Sequence, residues 1–436
     1  MIKSGSTRRR RFGAFVAVPL VGALALAGCG GGGDDGGDEG GGSEGGAANS
    51  FSFAYPVSPA GPSPFETLAE EYAEETGVEV ETIALPGENY GVTLRTQLQG
   101  GNAPDSMVVS PGSGQDQAVL PLAEAGLLEP LGEASNSVVT DASRSLVTYE
   151  DQLYAQPTDL VAVGMIWNPT AASDAGTQLP SDIDALIDSC AGLTGDGKSF
   201  FAIAGSAPPN VGLMAQSISA TRVYAETPDW NEQRADGSVT FADTEGWTDT
   251  LQTILDLNEA GCFQPGAAGG GFDAITNGIA QGTSLSAFTP GGAVAELMRN
   301  VPGLTLEIQP FPPAGGGEPY ILASPNYAIA ITAASDDPQK QAAQAFLDWL
   351  AEPENAAQLA EVAGNVPVAG LEDATLPPQY EPVKTLIQDG DFVPLPANVW
   401  PNPGIYDALA SGVQGLLAGQ GDVQSVLESM DQAWDR

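Results

Sequence analysis

The stretch PFETLAEEYAEETGVEV (Pro64–Val80) contains the change of hydrophobic period that decides the fold class. Ser63 is a candidate N-cap residue, Glu66 a candidate capping-box partner and Gly77 a candidate helix stop. Residues 78–85 predict a strand, because Val78, Val80 and Thr82 alternate with two glutamates at its start. The preceding residues predict a helix, because one apolar face at helical spacing is formed by Phe65, Leu68, Ala69, Tyr72 and Ala73.

Predicted strands and helices also alternate on both sides of this stretch. We predict strands at Phe51–Tyr55 and Met107–Ser110, and a helix at Tyr90–Gln99. Strands and helices that alternate in this way predict an α/β fold with a parallel sheet covered by helices on both faces. The globular part has about 385 residues, a length that favours two domains over one.

The N-terminus has the pattern of an export signal. Lys3 and four arginines precede the uncharged apolar run 12–27, and Leu26-Ala27-Gly28-Cys29 follows. That ending resembles the bacterial lipoprotein box, which implies cleavage after residue 28 and acylation of Cys29. The alternative is an ordinary signal peptide cleaved nearby, with Cys29 incidental. The Gly- and acid-rich residues 29–50 are expected to form a disordered tether, since they cannot bury a core.

The charge and the lack of histidine exclude several classes of function. Five of the 14 lysines and arginines lie in the signal, so nine oppose 56 acidic residues and the mature formal charge is −47. This charge repels nucleic acid and anionic lipid. With no histidine, Ser-His-Asp triads and histidine metal sites are excluded. We expect no metal and no cofactor. Gly192–Ser199 matches the residue pattern of a phosphate-binding loop, but that loop works only between a strand and the helix that follows it. Here the stretch follows a predicted helix and enters a predicted strand, so we interpret it as a surface turn.

Two cysteines remain in the mature chain after Cys29. Cys190 ends one helical pattern, and Cys262 follows Gly261 at the end of another. In an oxidising compartment a disulfide between Cys190 and Cys262 is expected. The alternative is two thiols that are buried separately.

Five further stretches, together with Pro64–Val80, resemble the extracellular solute-binding proteins of ABC importers, specifically the maltose-binding-protein-like family 1. Tyr149–Pro169 is similar to a strand that crosses between lobes in that family. The longest match, Ile308–Val368, has a proline-rich entry, a strand, an Asp-Pro helix and a closing proline. The other three stretches are GGNAPDSMVV (Gly100–Val109), LAEAGLLEPL (Leu122–Leu131) and GIAQGTSLSAFTPG (Gly278–Gly291).

This resemblance implies a periplasmic-binding-protein-like fold, with two α/β lobes joined by a hinge and a ligand cleft between them. Lobe I is expected to contain residues 51–158 and 320–369, and lobe II residues 159–319 and 370–436. The implied function is capture of a mono- or oligosaccharide for delivery to the permease subunits of an ABC transporter. We therefore expect a monomeric protein without enzymatic activity, held at the outer face of the bacterial cytoplasmic membrane only by its lipid anchor.

Thr158, Asp159 and Tyr406 match positions of ligand contacts in the family, whereas the other candidates are chosen because they lie in a rim loop of lobe I, in a Pro-rich loop or at the end of the first strand. Sugar recognition needs flat aromatic faces and planar polar groups. The sequence does not decide whether Trp230 lies in the core or in the cleft, whereas Trp247 and Trp349 are expected in the core. The departure from the pattern is Thr289-Pro290-Gly291, where the family often has Gly-Pro-Trp. The candidate ligand-binding residues are Tyr55, Ser110, Gln115, Asp116, Thr158, Asp159, Trp400 and Tyr406.

Two other functions stay open at this stage. The acidity of the chain is compatible with a binding protein for a non-sugar solute such as a polyamine. A secreted glycan hydrolase that uses two carboxylates is also compatible with 56 acidic residues, although no catalytic motif stands out.

Overall fold

The computed structural model describes residues 50–57, 63–315, 317–368, 370–371 and 374–436. The predicted signal peptide 1–28, Cys29 and all of the predicted tether except Ser50 lie outside these residues. Ser50 is not part of a tether, because it begins the first strand and pairs with Glu79. The strands are β1 Ser50–Val57, β2 Glu79–Pro86, β3 Ser106–Val109, β4 Thr148–Tyr149, β5 Gln152–Leu153, β6 Gln156–Pro157, β7 Asp159–Trp167, β8 Ser199–Ala202, β9 Ser284–Pro290, β10 Glu307–Gln309, β11 Ile321–Pro325, β12 Ala328–Ile331, β13 Val366–Pro367 and β14 Phe392–Val393.

Helices surround these strands along the whole described chain. Helix α1 begins after Ser63 and ends at the left-handed Gly77, as predicted, although the Ser63 side chain makes no capping hydrogen bond. The helices are α1 Pro64–Thr76, α2 Tyr90–Gly100, α3 Val119–Glu124, α4 Glu133–Asn136, α5 Asp141–Val147, α6 Pro169–Asp174, α7 Ile183–Gly195, α8 Pro208–Ser219, α9 Trp230–Ala235, α10 Glu245–Glu259, α11 Phe272–Ala280, α12 Gly291–Asn300, α13 Asp337–Leu350, α14 Pro353–Ala363, α15 Lys384–Asp389, α16 Pro396–Val399, α17 Pro403–Leu417 and α18 Val423–Trp434.

Lobe I is built on a five-stranded sheet with the order β2-β1-β3-β12-β6. The first three strands are parallel, which confirms the βαβ pattern read from the sequence. Strand β12 then pairs antiparallel with β3 and β6. Helices α1, α2 and α13 bury their apolar faces against the sheet, and Phe346 packs against Phe51 and Phe53 with ring centroids 5.6 and 5.4 Å apart.

Lobe II is built around β7, the longest strand of a seven-stranded sheet. All nine residues of β7 are buried, because helices cover both faces of this sheet. This burial explains the uninterrupted apolar run from Leu160 to Ile166. Gly164 is required in its centre, since a Cβ atom there would collide with the carbonyl of Gln309 on β10.

A disulfide links two peripheral elements of lobe II. Cys190 on α7 and Cys262, just after α10, are bonded, with their Cα atoms 4.9 Å apart. The backbone carbonyl of Cys262 accepts a hydrogen bond of 2.9 Å from Phe201 on β8. The disulfide therefore fastens the outer helices to the edge of the sheet.

The chain crosses between the two sheets three times. It passes from β6 to β7 at Thr158, from β11 to β12 at residues 326–327, and from α14 to β13 at residues 364–365. The expected lobe boundaries need correction, because β11 and β13 pair with β7. Residues 321–325 and 366–367 therefore belong to the sheet of lobe II. Within the described ranges, no helix is long and apolar enough to span a bilayer.

Candidate ligand-binding cleft between the lobes

Three adjoining cavities lie between the lobes, next to the carboxyl ends of β1 and β2. The inner cavity has a volume of about 730 Å³, the central cavity about 280 Å³ and the outer cavity about 500 Å³. Gly87, which follows β2, borders all three. The carboxyl ends of parallel strands are the usual ligand side of an open α/β sheet. The three cavities are therefore treated together as the cleft.

Lobe I contributes a hydrogen-bonded polar loop to the central cavity. This loop follows β3, and its Ser110 hydroxyl donates to the Gln115 side-chain oxygen at 3.0 Å. The Gln117 amide donates to the Ser110 oxygen at 2.9 Å and to the Gln115 oxygen at 3.0 Å. Ser110 is buried, whereas Gln115 is exposed and Gln117 half-buried. The triad Ser110–Gln115–Gln117 thus presents neutral donors and acceptors to the cleft.

Lobe II and the C-terminal segment form the opposite wall of this central cavity. Val161 and Val163 of β7 supply apolar surface, and Pro290 closes one end. The side chains of Asn326 and Asn398 add two amides to the lining. The polar loop of lobe I docks on this wall, since the Ser113 backbone N–H donates to the Asn398 carbonyl at 2.9 Å.

The outer cavity contains Tyr406, the predicted aromatic residue that does reach the cleft. Tyr406 is half-buried, and its hydroxyl donates to the Pro209 carbonyl at 2.7 Å. Burial is the main cause that raises the pKa of this hydroxyl, and the nearby Asp407 raises it further. The hydroxyl therefore stays neutral. Its ring packs on α8 where Gly212 has no side chain; a Cβ atom there would press on the ring. Asp116 also lines this cavity, 3.7 Å from Arg95.

The inner cavity has a different character, because it contains aromatic and charged groups. The rings of Phe65 and Tyr327 meet edge to face with centroids 5.8 Å apart. Three charged residues of α12 and α14, Glu296, Arg299 and Glu361, line the same cavity. Tyr327 also borders the central cavity, so it joins the two spaces.

Two predicted aromatic contacts do not reach the cleft. Trp400 is fully buried, packed against Phe241 and Trp247, and its indole N–H donates to Asn231 at 3.2 Å. Tyr55 is 1% exposed within the core of lobe I. Both predictions were wrong for the same physical reason: an aromatic residue near a strand or loop end can still point into the core.

Trp230, which the sequence left open, belongs to the same aromatic core as Trp400. It is buried, and its ring centroid lies 4.8 Å from that of Phe241. Trp247 lies in this core too, as expected. Trp349 packs at the edge of the lobe I core, and its indole N–H donates to Glu75.

Thr158 and Asp159 are buried at the first crossing instead of projecting into the cleft. They are 4% and 1% exposed, although Asp159 borders the inner cavity. The Asp159 carboxylate accepts hydrogen bonds from Thr158 Oγ1 at 2.5 Å, from Asn326 Nδ2 at 3.4 Å and from Asn365 Nδ2. Burial raises the pKa of Asp159, and these three hydrogen bonds oppose that rise. These hydrogen bonds make Asp159 an interlobe contact at the edge of the inner cavity, and its role as a ligand contact stays a prediction.

The missing family tryptophan has a structural explanation. A side chain at Gly291 would collide with Tyr380, which is fully buried. The Tyr380 hydroxyl donates to Asn365 Oδ1 at 3.1 Å. Tyr380 therefore fills the space beside residue 291, but it offers no exposed face for stacking.

Sequence reasoning missed several cleft residues, among them four amides and one tyrosine. Gln117 lay one residue beyond the selected loop, and Asn326, Tyr327 and Asn398 sit in short connections without a motif. Gln216 is on α8, a helix that begins with two prolines and that the periodicity did not predict. No group of three metal-ligating side chains occurs in the part of the chain that the structure describes.

Together, the two α/β lobes, the three crossings and the intervening cleft define a two-lobed binding-protein architecture. The chain belongs to the bacterial extracellular solute-binding protein family, whose profile matches residues 67–382. Membership of this extracellular family implies that the protein is exported. A sequence comparison with curated proteins gives no match.

Solved structures with the same fold cover nearly the whole chain. A family 1 extracellular solute-binding protein from Bifidobacterium longum subsp. infantis has a TM-score of 0.71 and 17% identity, covering 89% of this chain and 100% of its own. The GacH receptor of Streptomyces glaucescens has a TM-score of 0.68 and 16% identity, covering 88% of this chain and 97% of its own. RafE from Streptococcus pneumoniae has a TM-score of 0.68 and 16% identity, covering 90% of this chain and 99% of its own. At these identities the likeness establishes the fold alone.

Proposed function

We propose that this protein captures a neutral carbohydrate in its interlobe cleft. The observation that supports this most directly is the chemistry of the central cavity. Hydroxyl and amide groups of Ser110, Gln115, Gln117, Asn326 and Asn398 line it together with apolar surface, and among the side chains that the structure describes no charged one borders it. Neutral planar amides match the hydroxyl groups of a sugar, whereas an ionic ligand would need a charged partner in this space.

The ligands named for similar structures support the same class of ligand. RafE has been solved in complex with raffinose, and GacH in complex with acarbose. Another similar structure is a chitin oligosaccharide binding protein. These ligands differ in size and linkage, so they support a carbohydrate without selecting one.

The wider role is proposed from the family and the N-terminal sequence. We infer that Cys29 carries the lipid that holds the protein at the outer face of the cytoplasmic membrane. The protein acts as a monomer, performs no catalysis and delivers its solute to the permease subunits of an ABC transporter. Globomycin treatment of the producing cells tests the anchor, because it blocks lipoprotein signal cleavage; an unchanged mass of the mature chain would contradict it.

A thermal melting screen across mono- and oligosaccharides tests the proposed ligand class. A ligand that binds only the folded state stabilises it by RT ln(1 + [L]/Kd), about 2.7 kcal/mol at a hundredfold excess over Kd. We expect a rise in Tm for at least one neutral sugar. Incubation with the same sugars should release no reducing ends; their release would indicate a hydrolase instead.

A cationic solute is the second candidate, and the outer cavity favours it, because no basic residue is among the described residues that line that cavity. Asp116 and Asp407 both line that cavity and are both exposed. Spermidine is the matching probe for the melting screen. A rise in Tm with spermidine and with no sugar would reverse the order of the two candidates.

A further inference from the structure

The three crossings between the lobes meet at one buried carboxylate. Asp159 begins β7 directly after the first crossing, Asn326 lies at the second, and Asn365 at the third. The amides of Asn326 and Asn365 both donate to Asp159 Oδ2, and Thr158 donates to Oδ1. One side chain therefore holds hydrogen bonds to all three points at which the chain can bend between the lobes.

Backbone hydrogen bonds reinforce the joint at the first two crossings. The Asn326 N–H donates to the Asp159 carbonyl at 2.9 Å. In return, the Thr158 N–H donates to the Tyr327 carbonyl at 3.1 Å, and the one proton of the Thr158 hydroxyl is shared between Asp159 Oδ1 and the same carbonyl, also 3.1 Å away. These bonds continue the antiparallel pairing of β6 with β12 into that of β7 with β11, so the first two crossings form one paired ribbon that bends as a unit.

The joint also extends to the wall of the cleft. Asn365 Oδ1 accepts from the Tyr380 hydroxyl, and Tyr380 packs against Gly291 at the start of α12. Glu296 and Arg299 of the same helix line the inner cavity. The side chains that contact Asp159 are neutral amides and a hydroxyl, so its buried charge is compensated only while these donors stay in place.

We propose that Asp159 is a positioning residue that sets the resting angle between the lobes, and so controls ligand affinity through the open–closed equilibrium without contacting the ligand. The effect on affinity rests on the proposed binding function, whereas the effect on lobe angle does not. A ligand that selects one lobe arrangement loses apparent affinity in proportion to the population of that arrangement.

The test measures the interlobe distance by single-molecule energy transfer in the absence of any sugar. Dyes are attached at Glu81→Cys on lobe I and Gln252→Cys on lobe II, both exposed positions. The full-length chain carries Cys29→Ser, and Cys190 and Cys262 are already bonded to each other. We expect Asp159→Ala to shift or broaden the distance distribution, and to change the affinity for any sugar found in the melting screen by about tenfold.

The conservative variant Asp159→Asn separates hydrogen bonding from charge. Its oxygen can still accept from Asn326 and Asn365, while its amide donates to Thr158 Oγ1, whose own proton then goes to the Tyr327 carbonyl. We expect a distribution like that of the parent. Asn365→Ala removes one donor at the third crossing and should shift the distribution in the same direction as Asp159→Ala, which keeps the test valid if the latter does not fold.

Asp105→Ala is the matched control. Asp105 accepts hydrogen bonds from the Ser52 N–H at 2.9 Å and hydroxyl at 2.7 Å, but both residues lie within lobe I. This variant should lower stability and leave the interlobe distribution unchanged. Parent-like distributions for both Asp159→Ala and Asn365→Ala, or a shift with Asp105→Ala of the same size, would overturn the proposal. An absence of sugar binding with a clear shift would instead refute the proposed ligand class alone.

Discussion

The triad Ser110–Gln115–Gln117 and the joint around Asp159 are both polar networks beside the same cleft. They differ in whether their polar groups remain accessible to water or a ligand. In the triad, Gln115 is exposed and Gln117 half-buried, so water or a ligand can reach their amides. At the joint, Thr158 and Asp159 are buried and bonded to the other crossings. The two networks therefore differ in whether their polar groups stay accessible from the cleft, and Asn326, which lines the central cavity and donates to Asp159, belongs to both regions.

The largest effect is expected from breaking the joint. Asp159→Ala removes the acceptor of the buried Asn365 amide and of the half-buried Asn326 amide, while the Thr158 hydroxyl keeps the Tyr327 carbonyl. An unsatisfied buried donor costs roughly 1–3 kcal/mol, so we expect the free energy of unfolding to fall by about 2–4 kcal/mol in urea titration. A loss below about 0.5 kcal/mol would show that the joint contributes little to stability.

The triad should show the opposite behaviour. Gln115→Ala combined with Gln117→Ala removes two amides that face the central cavity, while Ser110 keeps its backbone contacts. We expect Kd for a bound sugar to rise about tenfold or more, and the free energy of unfolding to change by less than about 0.5 kcal/mol. Calorimetric titration and urea unfolding of the same sample measure both quantities. A stability loss as large as that of Asp159→Ala would erase the distinction.

The dependence of stability on pH sharpens the comparison further. Burial raises the pKa of Asp159 in the folded state above its ordinary value of 3.8, so the folded state binds the proton more tightly than the unfolded state. The contribution of Asp159 to stability is therefore fully present below pH 3.8 and is lost as pH rises through the folded pKa. Asp159→Asn removes this loss.

The measurement is a series of urea unfolding curves from about pH 4 to neutral pH. The stability of Asp159→Asn relative to the parent should increase with pH over this window and then level off. A matched Asp116→Asn series serves as the control. A relative stability of Asp159→Asn that decreases with pH would contradict the raised pKa.

The smallest effect is expected at the rim of the cleft. Asp116 and Arg95 form an ion pair of 3.7 Å in which each side chain is nearly half exposed. Exposed pairs contribute roughly 0.2–1 kcal/mol. Asp116→Asn should change stability by less than about 1 kcal/mol and leave Kd for a neutral sugar within about twofold. A marked loss of spermidine affinity in this variant would favour the cationic ligand.

The fold was predictable because local patterns carried it. The helix from Pro64 has apolar residues at helical spacing, and the strand after it begins with alternating apolar and polar residues. The buried apolar run in β7 indicates a central strand. Helix α8 was missed because two prolines begin it and Gly212 interrupts its apolar face. Its face packs on Tyr406 of α17, a partner almost 200 residues away that local periodicity does not report.

The site was predictable only in part, because exposure depends on contacts distant in sequence. Trp400 and Tyr406 lie six residues apart, yet the first enters the aromatic core and the second reaches the cleft. Asp159 was correctly placed at the crossing, but its hydrogen bonds to Asn326 and Asn365 span 167 and 206 residues. No local signal distinguishes a bonded carboxylate from an available one.

The disulfide of lobe II has a consequence for how the protein must be produced. It closes a chain segment of 72 residues, a length for which loop-closure entropy implies about 4 kcal/mol of stabilisation. That segment includes β8 and α8, and α8 carries the Gln216 and Leu213 side chains of the outer cavity. Material made in a reducing cytosol should therefore keep an intact lobe I but present a weakened half of the binding surface, whereas secreted material should present both halves.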